Sequence, residues 1–105
     1  MAVIRFRQAI VAALTDEMRA DPTVIVFGED VAHAEGPFKT SEGLLAEFGS
    51  LRVRDTPISE MAFTGAAVGA AIMGMKPVVE IMFIEFLGVA LDQLVTEAAK
   101  LRYLS

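Results

Sequence analysis

The chain has 105 residues, nine of them Lys or Arg and fourteen Asp or Glu, for a formal net charge of −5 at pH 7. The basic residues are scattered, which argues against nucleic-acid binding, and with no cysteine and one histidine neither a disulfide framework nor a Cys or His-cluster zinc site can form. At 54% hydrophobic with a mean hydropathy of +0.53, the chain is more apolar than a typical soluble domain, so partners or a larger assembly are expected to cover part of it.

No long apolar stretch precedes a small-residue cleavage site in the first residues, so no secretory signal is expected. Phe6, Ile10, Leu14 and Met18 fall four apart with Val11 on the same side, which predicts an amphipathic helix over Ile4–Met18. Asp21-Pro22 stops it, because the residue before a proline is pushed out of the α region. Val24–Phe27 is wholly apolar and ends in Gly28, the pattern of a strand buried on both faces of a parallel sheet. Glu29–Thr40 is polar and irregular, broken by Gly36-Pro37.

A short helix is expected over Ser41–Phe48, ended by Gly49, and a short strand over Arg52–Asp55. A second long helix follows from Glu60 to about Met73, closed by Gly74. Pro77–Met82 reads as a strand, Phe83–Gly88 as a turn, and Val89–Tyr103 as a third long helix. The uncharged run Met61–Met75 is too short and too rich in Gly and Ala to span a bilayer, so a cytoplasmic protein without a membrane segment is expected. Alternating helices and strands predict an α/β fold, a helix-flanked parallel sheet forming one domain or part of one. In such sheets ligands sit beyond the C-terminal ends of the strands. Three loops qualify: Gly28 onward, Asp55–Ser59 and Phe83–Phe86.

Glu60 opens a Gly/Ala-rich helix. A carboxylate there is stabilised by unpaired amides and the helix dipole, by roughly 0.3–1 kcal/mol, and this alone would explain it. Its apolar surroundings (Met61, Ala62, Phe63, Ala66) suggest more: a partly dry carboxyl group would have a raised pKa and could donate or share a proton near neutral pH. Glu29 and Asp30 follow a buried strand, either as a solvated loop or as site residues. Phe83 and Phe86 fit core packing or a flat face for a ring ligand. Gly65 and Gly69 permit close approach, by the chain's own core or by another subunit. His33 reads as a surface loop residue.

The ordered segments Phe27-Gly28-Glu29-Asp30-Val31, Gly36-Pro37-Phe38-Lys39-Thr40-Ser41-Glu42-Gly43-Leu44 and Arg52-Val53-Arg54-Asp55-Thr56-Pro57-Ile58-Ser59-Glu60 carry a resemblance. So do Gly65–Ala71, Lys76-Pro77-Val78-Val79-Glu80, Ala90-Leu91-Asp92-Gln93 and Ala98-Ala99-Lys100. Together they resemble the β-subunit of 2-oxo acid dehydrogenase first components of the pyruvate, branched-chain or acetoin type. The resemblance implies that residues 1–105 are the N-terminal part of a transketolase-like pyrimidine-binding domain using thiamine diphosphate. By the same resemblance Glu60 hydrogen-bonds the pyrimidine ring nitrogen N1′ and is the catalytic carboxylate. Phe86 packs on the pyrimidine face, Ile58 lines its pocket, and Glu29 helps shuttle protons between paired active sites.

The implied partners are an α-subunit that holds the diphosphate through Mg²⁺, a second β-subunit, and a lipoyl-bearing second component that takes the acyl group. No Gly-Asp-Gly with a downstream Asn for magnesium is present, as implied if that task belongs to another subunit. The resemblance also turns the Gly65/Gly69 helix toward a subunit interface. A full β-subunit is much longer, so the chain alone is expected not to turn over substrate. The alternative is a non-catalytic interaction module that associates with an α-subunit or with itself.

Overall fold

A computed structural model describes residues 3–105; Met1 and Ala2, the start of the expected 1–105 unit, lie outside the described residues. The helices are α1 (Phe6–Ala20), α2 (Leu44–Phe48), α3 (Glu60–Ile72), α4 (Leu87–Asp92) and α5 (Leu101–Leu104). The strands are β1 (Val24–Gly28), β2 (Val53–Asp55) and β3 (Lys76–Glu80). They form one parallel sheet in the order β2-β1-β3, with Val26 in register with both Val53 and Val78. The expected helix-flanked parallel α/β architecture is present.

The all-apolar run occupies the centre of the sheet because only a central strand has both faces covered. Val24 and Val26 pack with Met18, Ala32, Leu44 and Val53 under α1 and α2, whereas Phe27 packs on the opposite face with Phe63 and Ala67 of α3. Pro77 lies in β3, an edge strand of this sheet, where a missing N–H is tolerated. Arg52 binds these layers together. Its Nη2 donates to the carbonyl oxygens of Met18 and Asp21, both at 2.8 Å, and of Val24 at 2.9 Å. Its guanidinium carbon lies 5.0 Å from the centre of the Phe48 ring.

Several boundaries differ from the expectation. Helix α1 starts at Phe6, where the Arg5 amide is capped by Gln8 Oε1 at 2.9 Å, and Phe6 itself is exposed. The short helix begins only at Leu44, because the Ser41 hydroxyl donates to the Val31 carbonyl at 2.6 Å and Gly43 is left-handed. β3 spans Lys76–Glu80 and not Pro77–Met82: the Lys76 amide joins the ladder by donating to Thr23, while Ile81 and Met82 leave it. The third long helix is not continuous. A 3₁₀ turn (Ile84–Phe86) leads into α4, the chain then widens into a π-helical stretch (Gln93–Ala98), and it breaks at Ala99–Lys100 before α5. No Gly or Pro stands between Val89 and Leu104, so local sequence does not account for the break. Among the described residues no helix is long and apolar enough to cross a membrane.

Candidate active site

Parallel strands deliver all their C-terminal ends to one edge of the sheet, and here three loops meet there. β1 ends in Gly28, where an added Cβ would lie 2.8 Å from the Glu80 carbonyl oxygen, so glycine lets β1 and β3 close together. Glu29 follows immediately. Glu60 comes to the same place from the first turn of α3, after the Thr56–Ser59 loop that leaves β2. Both carboxylates are buried, each residue 8% exposed.

Burial is the first cause that pushes the Glu29 carboxyl above its ordinary range; the neighbouring charges of Glu60 and Asp30 add to it. Glu29 Oε1 has no protein partner, nor has Thr56 Oγ1 nearby. Buried polar atoms are normally satisfied. Two unpaired buried polar atoms beside one cavity therefore mark a place where a polar ligand can form hydrogen bonds.

That cavity measures ≈ 520 Å³, inside the range of about 300–1,000 Å³ usual for small-molecule sites. Its walls include Glu29, Glu60, Thr56, Ile58, Met82 and Phe86. The four residues singled out from the sequence, Glu29, Ile58, Glu60 and Phe86, thus converge on one space. Phe86 lines the same cavity as the acids and is braced edge-on by Phe83 at 5.9 Å, which in turn meets Phe38 edge-on at 5.7 Å. Phe83 is a buttress and not a wall. Ile58 is 85% exposed and lines only the mouth.

Sequence reasoning did not single out Thr56, Met82 or Val89 as lining residues, although Thr56 lies inside the string that carries the resemblance. Met82 gave no signal, since its place depends on β3 ending at Glu80. His33 is outside the cavity, largely exposed, with Nδ1 2.6 Å from Asp55 Oδ2. Gly65 faces the chain's own Gln93, whose Oε1 would lie 2.6 Å from an added Cβ, whereas no atom lies within 4 Å of one at Gly69. The neighbour at Gly65 is the movable end of the Gln93 side chain, so the chain packs closely there without requiring glycine, and Gly69 leaves room for another subunit. Among the described residues no group of three or more His, Asp or Glu is placed to hold a metal ion.

Glu29 has a consequence for stability. In acid both the folded and the unfolded chain carry its proton, and no penalty arises. As the pH rises past the ordinary carboxylate range the unfolded chain releases that proton first, so stability falls until the folded form has also lost it. Glu29→Gln should therefore melt above the parent at pH 8. The gap should close toward pH 4. Thermal melts followed by circular dichroism at both pH values check this, and a gap that widens in acid would contradict the sign.

A parallel sheet whose loops bring two buried carboxyl groups and an aromatic ring to its C-terminal edge is the frame of an α/β domain with a ligand site at that edge. The family described as the transketolase pyrimidine-binding domain matches residues 2–104, and the chain belongs to it. Within that family it is similar to β-subunits of 2-oxo acid dehydrogenases. It is 48% identical over its whole length to the pyruvate dehydrogenase E1 component subunit beta of Rhizobium meliloti (strain 1021), covering 23% of that protein. It is 45% identical, again over its whole length, to the 2-oxoisovalerate dehydrogenase subunit beta of Bacillus subtilis (strain 168), covering 32% of it. Over 94% of the chain it is 50% identical to a mitochondrial pyruvate dehydrogenase E1 component subunit beta-2 of Oryza sativa subsp. japonica, covering 26%. The chain thus spans about a quarter to a third of these curated relatives.

Proposed function

We propose that residues 1–105 form the N-terminal part of the pyrimidine-binding domain of a 2-oxo acid dehydrogenase β-subunit, and that the cavity between Glu60 and Phe86 receives the aminopyrimidine of thiamine diphosphate. The observation that carries this reading is that buried Glu29 and Glu60 line one ≈ 520 Å³ cavity together with Phe86, with unpaired polar atoms on its wall. A flat heteroaromatic ring with hydrogen-bonding nitrogens fits such a donor and acceptor set. Thiamine diphosphate, when bound, supplies the electron sink for loss of carbon dioxide from a 2-oxo acid.

The chain's own residues hold and polarise. Glu60 presents its carboxyl oxygen to a ring nitrogen in a site from which water is largely excluded, where a hydrogen bond to a charged group is stronger than in solution. Glu29, whose carboxyl holds its proton more tightly than a free carboxyl group, lines the same cavity as Glu60 and can pass a proton on. Phe86 fixes the plane of the ring by stacking, worth about 0.5–1.5 kcal/mol beyond burial. Ile58 closes the mouth once a partner covers it.

In the same proposal the diphosphate is held through Mg²⁺ on an α-subunit. A second β-subunit and a lipoyl-bearing component complete the proposed assembly. The substrate is a 2-oxo acid or acetoin. A cytoplasmic location belongs to the same proposal; the rice relative is mitochondrial.

The test uses a chimeric β-subunit in which this chain replaces the matching segment of the Rhizobium meliloti relative, mixed with that enzyme's α-subunit. Thiamine diphosphate with Mg²⁺ is expected to bind and to support decarboxylation, read by calorimetry and by carbon dioxide release. Exposed Ile72, Met73, Tyr103 and Leu104 favour a second reading, an association module. Assembly with the α-subunit but neither binding nor turnover would select that reading and overturn the first.

A further inference from the structure

We propose that Asp55 is a positioning residue whose carboxylate clasps the loop after β1 and so keeps Glu29 buried at the cavity it lines with Glu60, the arrangement on which the functional reading above rests. Asp55 is the last residue of β2. Its Oδ1 accepts the Ala32 amide at 2.7 Å, and its Oδ2 accepts the His33 amide at 3.2 Å and meets His33 Nδ1 at 2.6 Å. The clasped segment is anchored from below: Val31 and Ala32 are fully or almost fully buried, and the Val31 carbonyl accepts the Ser41 hydroxyl. On the other side of Glu29 the sheet supplies a second anchor, the Thr56 amide donating to the Gly28 carbonyl at 2.9 Å.

Only Glu29, Asp30 and Val31 lie between the two anchors. Asp30 is held at φ 56°, a left-handed conformation that a residue with a Cβ adopts under constraint. Its carbonyl is tied in turn to the Gly36 amide at 2.8 Å. So short a bridge has few ways to run, and the one observed buries Glu29 at the cavity it lines with Glu60. Without the clasp Asp30 can relax to negative φ, which swings Glu29 toward solvent. The charged groups around Glu29 are Glu60 from α3 and Asp30 from its own loop, with Glu80 at the end of the adjoining β3; the segment after β3 contributes the uncharged Met82 and Phe86 to the cavity.

The experiment follows the Glu29 carboxyl carbon by NMR against pH in the full 105-residue chain, its signal assigned with Glu29→Gln. In the parent the midpoint should lie above the ordinary carboxylate range. In Asp55→Ala it should fall into that range. Asp55→Asn keeps an oxygen that accepts the Ala32 amide, so its midpoint should stay raised. An unchanged midpoint in Asp55→Ala would overturn the proposal. An equal fall in both variants would also do so, since Asp55 would then act through its charge. If the alanine variant does not fold, hydrogen exchange at the Ala32 amide decides. Protection in both the parent and Asp55→Asn supports the clasp, and exchange at the free-chain rate in the parent refutes it. No readout involves thiamine diphosphate, so a failure of cofactor binding would remove the proposed function and leave this inference standing.

Discussion

Glu60→Gln is expected to lower turnover of the chimeric β-subunit assembled with its α-subunit by about 10²–10⁴-fold, the usual range for loss of a positioned proton-transfer group. The amide has nearly the same shape and remains buried at the first turn of α3. It can neither carry a charge nor exchange a proton with a ring nitrogen, so the loss should fall on kcat and leave assembly intact. The fold should tolerate the change. Removing an acid from the helix start costs about 0.3–1 kcal/mol, while relief of the repulsion with Glu29 acts in the other direction. Steady-state carbon dioxide release, with circular dichroism melts as the control, measures both parts. Turnover within a few-fold of the parent would end the proposed role of Glu60.

The second large effect is on stability. Arg52→Met keeps an apolar stem over Phe48 but removes the donors to the Met18, Asp21 and Val24 carbonyls, two of which belong to the C-terminal end of α1 and its cap. A hydrogen bond to a charged group contributes ~1.5–3 kcal/mol, and acceptors left unsatisfied in part-buried positions add a desolvation cost. A loss of about 3 kcal/mol is expected, or roughly 12–24 °C in Tm for a domain of this size. Urea unfolding should show a lower midpoint with an unchanged slope, the mark of lost stability and not of altered compactness. A change below ~0.5 kcal/mol would mean that water replaces Arg52 at those carbonyls.

Neither residue was equally visible beforehand. Glu60 stood out by its position at a helix start among apolar neighbours and by the Asp-Thr-Pro-Ile-Ser-Glu string. Arg52 looked like an ordinary charged residue at the start of a short strand, because its partners are main-chain carbonyls 28 to 34 residues away in the chain, and carbonyls carry no sequence signal. Asp55 escaped for the same reason, as its partners are chiefly amides of the β1 loop.

The order of helices and strands, the central place of Val24–Phe27 and the side of the sheet that would carry the site were legible because they follow from short-range hydrophobic periodicity and from the geometry of parallel sheets. Local sequence by itself determined that much, and the ordered motifs supplied the family. Only the tertiary structure decided that Glu29 and Glu60, 31 positions apart by their numbers, lie buried side by side. It also decided that the last helical stretch breaks at Lys100 and that Gly65 packs against the chain's own Gln93. These features depend on which surfaces meet after the chain has closed on itself. Their energies come from burial and from partners distant in sequence, and no window along the chain contains both halves of such a contact.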